Sequence, residues 1–389
     1  MAGTAAWTLE KELCGDIDRV TWCAWSPDST RLALASEDHI LRFRRTTMRV
    51  WDVSAGREVA RLVGHVGALT HCAWSSDGSQ LASASDDRTV RVYDANTWGL
   101  VVRLVGFGFR VLSCAWSPDG TQLACALAGK QVRVLDVNTW SEVTMLEGHD
   151  AAVTSCPWSP DGARLASASD DGTVRVWDVG SWLQVAKLDV KQHGRGVTRC
   201  AWSPDGTRLV ASTELSTVRV WHVNTLSEAA ELYEHDGYVS SCAWSPDGTQ
   251  IASALNEEAV CVWDINTRRE AAMLKQGQNA DLTHCAWSPD GARIASTSSD
   301  GPVRVWLAAD RGTSTTRAAA ATDAATAAAA NDSTAALSPL SAAAAVAAVP
   351  SAAAAAAAAV AGAVAAAPSA AAAAAATATS SASKKPCVN

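Results

Sequence analysis

Residues 149–178 read HDAAVTSCPWSPDGARLASASDDGTVRVWD. Two short apolar runs, 165–167 and 173–177, flank the turn Asp170, Asp171, Gly172. A Ser-Pro-Asp-Gly turn at 159–162 separates them from an earlier run that ends at Trp158. Alternating apolar residues bounded by Pro, Asp and Gly predict antiparallel strands joined by tight turns. No helical period competes with the alternation.

The stretch recurs across the first four-fifths of the 389 residues. The Trp before the serine turn falls at Trp25, Trp74, Trp116, Trp158, Trp202, Trp244 and Trp287, in steps of 49, 42, 42, 44, 42 and 43. A second landmark follows 19 residues later in six copies, at Tyr93, Leu135, Trp177, Trp221, Trp263 and Trp306. In the first copy it is Trp51, 26 residues on, so that repeat carries a seven-residue insertion. A Leu stands 11 residues further, at Leu62, Leu104, Leu146, Leu188, Leu232 and Leu274.

On these residues the chain resembles the Trp-Asp (WD-repeat) family of β-propellers. The pattern is a Gly-His, a Ser-Pro-Asp-Gly turn and a closing Trp-Asp at a period of about 40–45 residues. Gly64 and His65 with Tyr93 and Asp94, and Gly148 and His149 with Trp177 and Asp178, carry it most clearly. The resemblance covers residues 7–307. It implies one four-stranded blade per repeat, hence an all-β, seven-bladed propeller around a central channel. The seventh repeat stops at Leu307 without an outer strand, and residues 7–13 precede the first repeat without a blade of their own. The expectation is that this N-terminal strand completes the last blade and closes the ring.

Composition divides the chain into an ordered part, 1–309, and an Ala-rich tail, 310–389. All 17 Trp lie at or before Trp306. The net charge is −8; the tail sets Arg311, Arg317, Lys384 and Lys385 against Asp310, Asp323 and Asp332, so the ordered part carries −9. An acidic body argues against broad nucleic-acid binding and suits basic partners. The tail reads as disorder or fluctuating helix, because an Ala-rich segment of this length is marginal alone in water. A membrane anchor there is the competing reading, but its Pro-free stretch is short and Ala-rich for a span of about 20 residues. Cys387 is third from the end, where a prenylation box needs it fourth. MAGTAAWTLEKEL has neither a basic start nor a long apolar core, so an intracellular protein, cytoplasmic or nuclear, is expected.

Seven of the 11 Cys (Cys23, Cys72, Cys114, Cys156, Cys200, Cys242 and Cys285) stand two residues before the first Trp landmark. Residues i and i+2 of a strand share a face, so these thiols are expected to pack with the indoles as small buried hydrophobes. One per repeat fits neither a metal pattern nor a disulfide framework. No phosphate-binding Gly loop, HExxH or metal-spaced cluster is present, so no cofactor or metal is expected. His71 and His284 read as plain strand residues.

His149, Ser167 and Asp171 invite a catalytic reading. The resemblance instead implies a structural tetrad with Trp177, one per blade, that satisfies buried polar groups at one end of the sheet. The set repeats, which a triad would not do. His65, Ser83, Asp87 and Tyr93 form a second copy. His235, Ser253, Glu257 and Trp263 form a third, and Gln278, Ser296, Asp300 and Trp306 a fourth. Repeat three holds Phe107, Cys125, Gly129 and Leu135. Repeat five keeps His193 and Trp221 around Ala211 and Leu215. Repeat one has Asp16, Leu34 and Asp38. Blades one, three and five are therefore softer, or their loops serve binding.

Two loops suit binding. The insertion in 38–47 offers Phe43 and Arg44, and the loop entering repeat three offers Phe107, Phe109 and Arg110. Arg195 and Tyr238 stand on equivalent loops of the same face. Aromatic and Arg side chains dominate binding energy at interfaces. The alternative for Phe107 and Phe109 is that they fill the space of the missing His. The expected function is a non-enzymatic platform that binds partner proteins or peptides on this face, as a monomeric propeller within a larger complex. A substrate receptor of a cullin-type ubiquitin ligase is an alternative. Such members often carry Arg two residues after the Trp-Asp, where this chain has Ser54, Asn96, Asn138, Gly180, Asn224 and Asn266. A scaffold tethered to a membrane by the tail is another. An enzyme would need a unique polar cluster in the channel, and the sequence reads as repeated residues there.

Overall fold

The computed structural model describes residues 7–13, 19–38, 45–190, 196–213, 217–225, 227–232, 238–256, 259–276 and 281–309. Among them are 28 strands and no helix, so no helix long and apolar enough to cross a membrane is found there. The tail lies outside the described residues. The strands form seven four-stranded antiparallel sheets, the blades of a seven-bladed propeller. Blade four shows the plan, with strands Val153–Ser155, Arg164–Ser169, Thr173–Asp178 and Gln184–Asp189 running from the channel outward.

The serine turns set the register of each blade. In blade four the Ser159 hydroxyl contacts Asp161 and accepts from the Arg164 N–H at 2.8 Å, while Asp161 accepts from Ala163 N–H at 3.0 Å. Gly162 takes φ 69°, a left-handed value that glycine adopts without the steric cost of a side chain.

Apolar cores lie between blades. Ala166, Val174 and Leu188 of blade four meet Val197, Cys200, Trp202 and Trp221 of blade five. The seven repeated cysteines are buried and unbridged. In five blades the first Trp landmark does more than pack: it straps the blade to the one before, whereas the buried Trp244 and Trp287 indole N–H groups have no hydrogen-bond partner among the described residues. Trp25 donates its indole N–H to Ala286 O at 3.2 Å, Trp74 to Ala24 O at 3.1 Å, and Trp116 to Ala73 O at 3.0 Å. Trp158 and Trp202 repeat the bond to Ala115 O and Pro157 O.

Blade seven holds Leu282–Trp287, Arg293–Ser298 and Val303–Ala308, and its fourth strand is Trp7–Leu13. Trp7 pairs with Ala308 and Leu13 with Val303. Glu10 meets Arg293 at 2.7 Å, Glu12 meets Arg304 at 2.8 Å, and Lys11 donates to Val53 O of blade one at 2.7 Å. The chain's first strand thus closes the ring, as expected from the missing outer strand.

Every inner strand carries a bulge, at Thr154 in blade four and at Thr21 in blade one. A bulge lets two successive residues share a side, and here both Thr21 and Trp22 line the channel. The bulged hydroxyls bond across the seams: Thr21 to Leu69 O at 2.8 Å, Thr154 to Val197 O at 2.8 Å and Thr283 to Val20 O at 2.6 Å.

Candidate functional site: one face and the central channel

The polar network of blade four is assembled from four segments. His149 Nδ1 lies 2.8 Å from Asp171 Oδ2, and its Nε2 lies 2.8 Å from Ser167 Oγ. Trp177 donates its indole N–H to the same hydroxyl at 2.9 Å. Gly148 precedes this His with φ 141°, and a Cβ there would come within 2.6 Å of Arg175 Nη1, so the Gly is needed on both counts. Burial pushes the Asp171 carboxyl up, but the Thr173 hydroxyl, the Asp150 N–H and His149 outweigh it and bring it to about 2. Burial lowers His149, against the pull of Asp171. A neutral imidazole that donates from Nδ1 to the Asp171 carboxylate and accepts at Nε2 from the Ser167 hydroxyl, with that hydroxyl fully buried, fits structural satisfaction. Removing Asp171 would orphan these donors at about 1–3 kcal/mol.

Blade two repeats the geometry with His65, Asp87 at 2.8 Å and Ser83 at 2.9 Å. In blade six Trp263 bonds Ser253 at 3.2 Å; His235 and Glu257 lie outside the described residues. In blade seven the sequence spacing assigns Gln278 to the His position, but the side chain that reaches Ser296 is Gln276, braced by Arg304 at 3.0 Å. Gln278 itself lies outside the described residues.

Blade three shows what replaces the network. Phe107, named with the candidate docking residues, is only 3% exposed and packs with Leu104, Val111, Cys125 and Leu135. It fills the place that a His holds in blades two and four, so it is a core residue and is not available to a partner. Phe109 differs: its ring lies where a Cβ on Gly129 would meet it at 2.2 Å, yet it remains 50% exposed. The absent Asp makes room for a half-exposed aromatic.

Arg110 and Tyr238 line a funnel of about 660 Å³ at the loop end of the channel, together with Arg19, Asp86, Asp170 and Asp281. Arg110 pairs with Asp86 at 3.4 Å. Phe43, Arg44 and Arg195 lie outside the described residues. The strands flanking the first insertion, Arg31–Asp38 and Arg45–Asp52, pair out to Asp38 and Arg45 and run to eight residues. The insertion therefore extends a hairpin on the same end of the ring as the Asp171 turn.

The channel itself corrects the expectation of repeated residues. Three positions before each Trp landmark stand Trp22, His71, Ser113, Ser155, Arg199, Ser241 and His284. Trp22 stacks between His71 and His284, with ring centroids 4.1 and 3.4 Å away. From across the channel Arg199 places its guanidinium 4.3 Å from the Trp22 ring centroid. Burial first, and then the Arg199 charge, hold both imidazoles well below their usual value. His284 Nδ1 lies 3.3 Å from Cys23 Sγ, but burial pushes that thiol up, so the pair is neutral and supplies no thiolate. Below this girdle a second chamber of about 460 Å³ opens toward the other end. Among the described residues no His, Cys, Asp and Glu group could hold a metal ion. The signal for the girdle was in the sequence: aligned as a column, two His, a Trp and an Arg stand out among three Ser.

Comparison with known proteins places this geometry. A family model described as the IFT122 first beta-propeller matches residues 110–342, more than half of the chain. A model described as the WD domain, G-beta repeat, matches residues 7–44 and 56–94. No curated protein matches the chain significantly.

Proposed function

The chain belongs to the WD-repeat β-propeller family, and on that premise we propose that it is a non-enzymatic scaffold that binds partner proteins at the funnel end of its channel. One observation carries the reading: the blade that lost its polar network presents Phe109, half exposed, beside Arg110 at the funnel mouth. An aromatic and an Arg beside a concavity are the chemistry of interface hot spots. The ring needs little reordering to bind, which lowers the cost of association. The acidic body, −9 over residues 1–309, favours a partner with basic character. The ordered part is read as one propeller domain, with 310–389 as a separate tail. The propeller acts as a monomer inside a larger assembly.

Affinity purification with mass spectrometry tests this. Changing Phe109, Arg110, Phe43 and Arg44 together to Ala is expected to remove the co-purifying proteins while the melting temperature stays nearly constant. An unaltered set of partners would refute the assignment of this face.

A further inference from the structure

Arg199 is the unusual charge in this molecule. Several other poorly exposed guanidiniums have carboxylates: Arg49 meets Glu58 at 3.4 Å, Arg293 meets Glu10 at 2.7 Å and Arg304 meets Glu12 at 2.8 Å, while Arg91 and Arg175 bond instead to Gly64 O and the Gln184 side chain. Arg199 makes one hydrogen bond, from Nη1 to Thr154 O at 2.8 Å, and lays its cation on Trp22. Burial pulls its pKa down to about 10, against the opposite pull of Tyr238, Cys200, Cys156 and Cys242. A guanidinium carries five N–H donors, so most of its fork is unused by the described residues. It also lines both the upper funnel and the lower chamber. Among the described residues it lies where the funnel meets the lower chamber.

The funnel wall says what kind of anion fits. Thr21, Thr70, Thr154, Thr198 and Thr283 give their protons to backbone carbonyls of the next blade. Thr198 and Thr283 also meet the Ser212 and Thr297 hydroxyls at 2.7 Å, so the oxygens of Thr21, Thr70 and Thr154 are the ones left as acceptors. A ligand there meets one strong cationic donor, surrounded by acceptors, with Asp86, Asp170 and Asp281 above. Inorganic phosphate brings a concentrated negative charge and would face those carboxylates. A peptide brings a carboxylate for Arg199, N–H donors for the hydroxyl oxygens, and a cationic side chain for Asp281. Charge-assisted, bidentate pairing of Arg with a carboxylate is the strong form of such a contact.

We propose that Arg199, stacked on Trp22 at the base of the funnel, is the binding site for a single Glu or Asp side chain of a partner peptide, flanked by a Lys or Arg that meets Asp281 at the mouth. This rests on the reading of the funnel end as the docking face and adds the chemistry of the partner. It also reconciles an acidic body with a cation at its axis.

A random peptide display library selected on the full chain tests it. The expected result is one acidic column with basic neighbours in the enriched peptides. Changing that acid to its amide in a synthetic copy should weaken binding to the unaltered protein at least about tenfold. Selection on Arg199→Met should lose the acidic column, and Arg199→Lys should retain it at lower affinity. Peptides with no acidic column, equal affinity for acid and amide, or the same column selected on Arg199→Met would each overturn the proposal. The amide comparison uses the unaltered protein, so it decides even if Arg199→Met does not fold. If the acid preference fails while the Phe109 and Arg110 changes still release co-purifying proteins, the docking face stands and the channel site falls.

Discussion

At the residue scale, Phe107 and Phe109 separate a packed ring from an exposed one. They are two residues apart on one loop, yet Phe107 is 3% exposed within a core and Phe109 is 50% exposed over Gly129. Phe107→Ala should lower stability by about 3–5 kcal/mol, the cost of emptying a buried aromatic site. Phe109→Ala should cost about 1 kcal/mol or less, since half of its surface is already in water. Chemical denaturation of the two variants checks this; equal losses would mean that both rings are core. The sequence offered both readings for both residues. It could not divide them, because the decision lies in the missing side chain of Gly129, on a turn about 20 residues away. The networks at His65 and His149 were legible because four residue types recur at fixed spacing. The contact of Gln276 with Ser296 was not, because Gln276 stands outside the repeated spacing.

At the element scale, the N-terminal strand and the channel girdle give opposite lessons. The strand Trp7–Leu13 was legible from a deficit: seven repeats, one outer strand short. Its pairing with Val303–Ala308, its two ion pairs and the Trp7 ring 5.5 Å from Trp287 make it a clasp. Deleting residues 1–13 should lower the melting temperature of the whole propeller, because blade seven loses its edge and the seam to blade one loosens. A truncated chain that melts like the intact one would contradict the closure. The girdle was harder to read, since Trp22, His71, Arg199 and His284 lie in four different repeats and meet only when the ring closes. Its chemistry predicts a pH dependence. His71 and His284 have pKa values held well below the ordinary 6.5 by burial and by Arg199. Below pH 6.5 the unfolded chain takes up protons that the folded chain refuses, so stability falls as pH drops from about 6.5. Asp171, at about 2 against 3.8, adds a second loss at lower pH. Thermal melts from pH 7.5 to 5 should show the first decline, and His71→Gln with His284→Gln should flatten it. An unchanged slope in the double variant would place its cause elsewhere.

At the scale of the whole molecule, seven similar blades make a rigid ring whose differences carry its individuality. The family match across 110–342 and the repeat matches before it account for the ring. What they do not distinguish is which copy departs from the pattern and how. Blade four, with His149, Asp171, Ser167 and Trp177 all in contact, is the reference copy and is built for stability. Blade three, without that network, turns an aromatic toward water beside the funnel. Blades one, two, five and seven contribute Trp22, His71, Arg199 and His284 to the axis. Function is therefore read from the residues that break the repeat, placed on one end and along the channel. Hydrogen–deuterium exchange of the full chain with a co-purified partner tests this most directly. The account predicts protection in the segments holding Phe109, Arg110 and Tyr238 at the funnel, with the serine turns at the opposite end unchanged. Protection at those turns or along the outer strands, with the funnel unaffected, would contradict it.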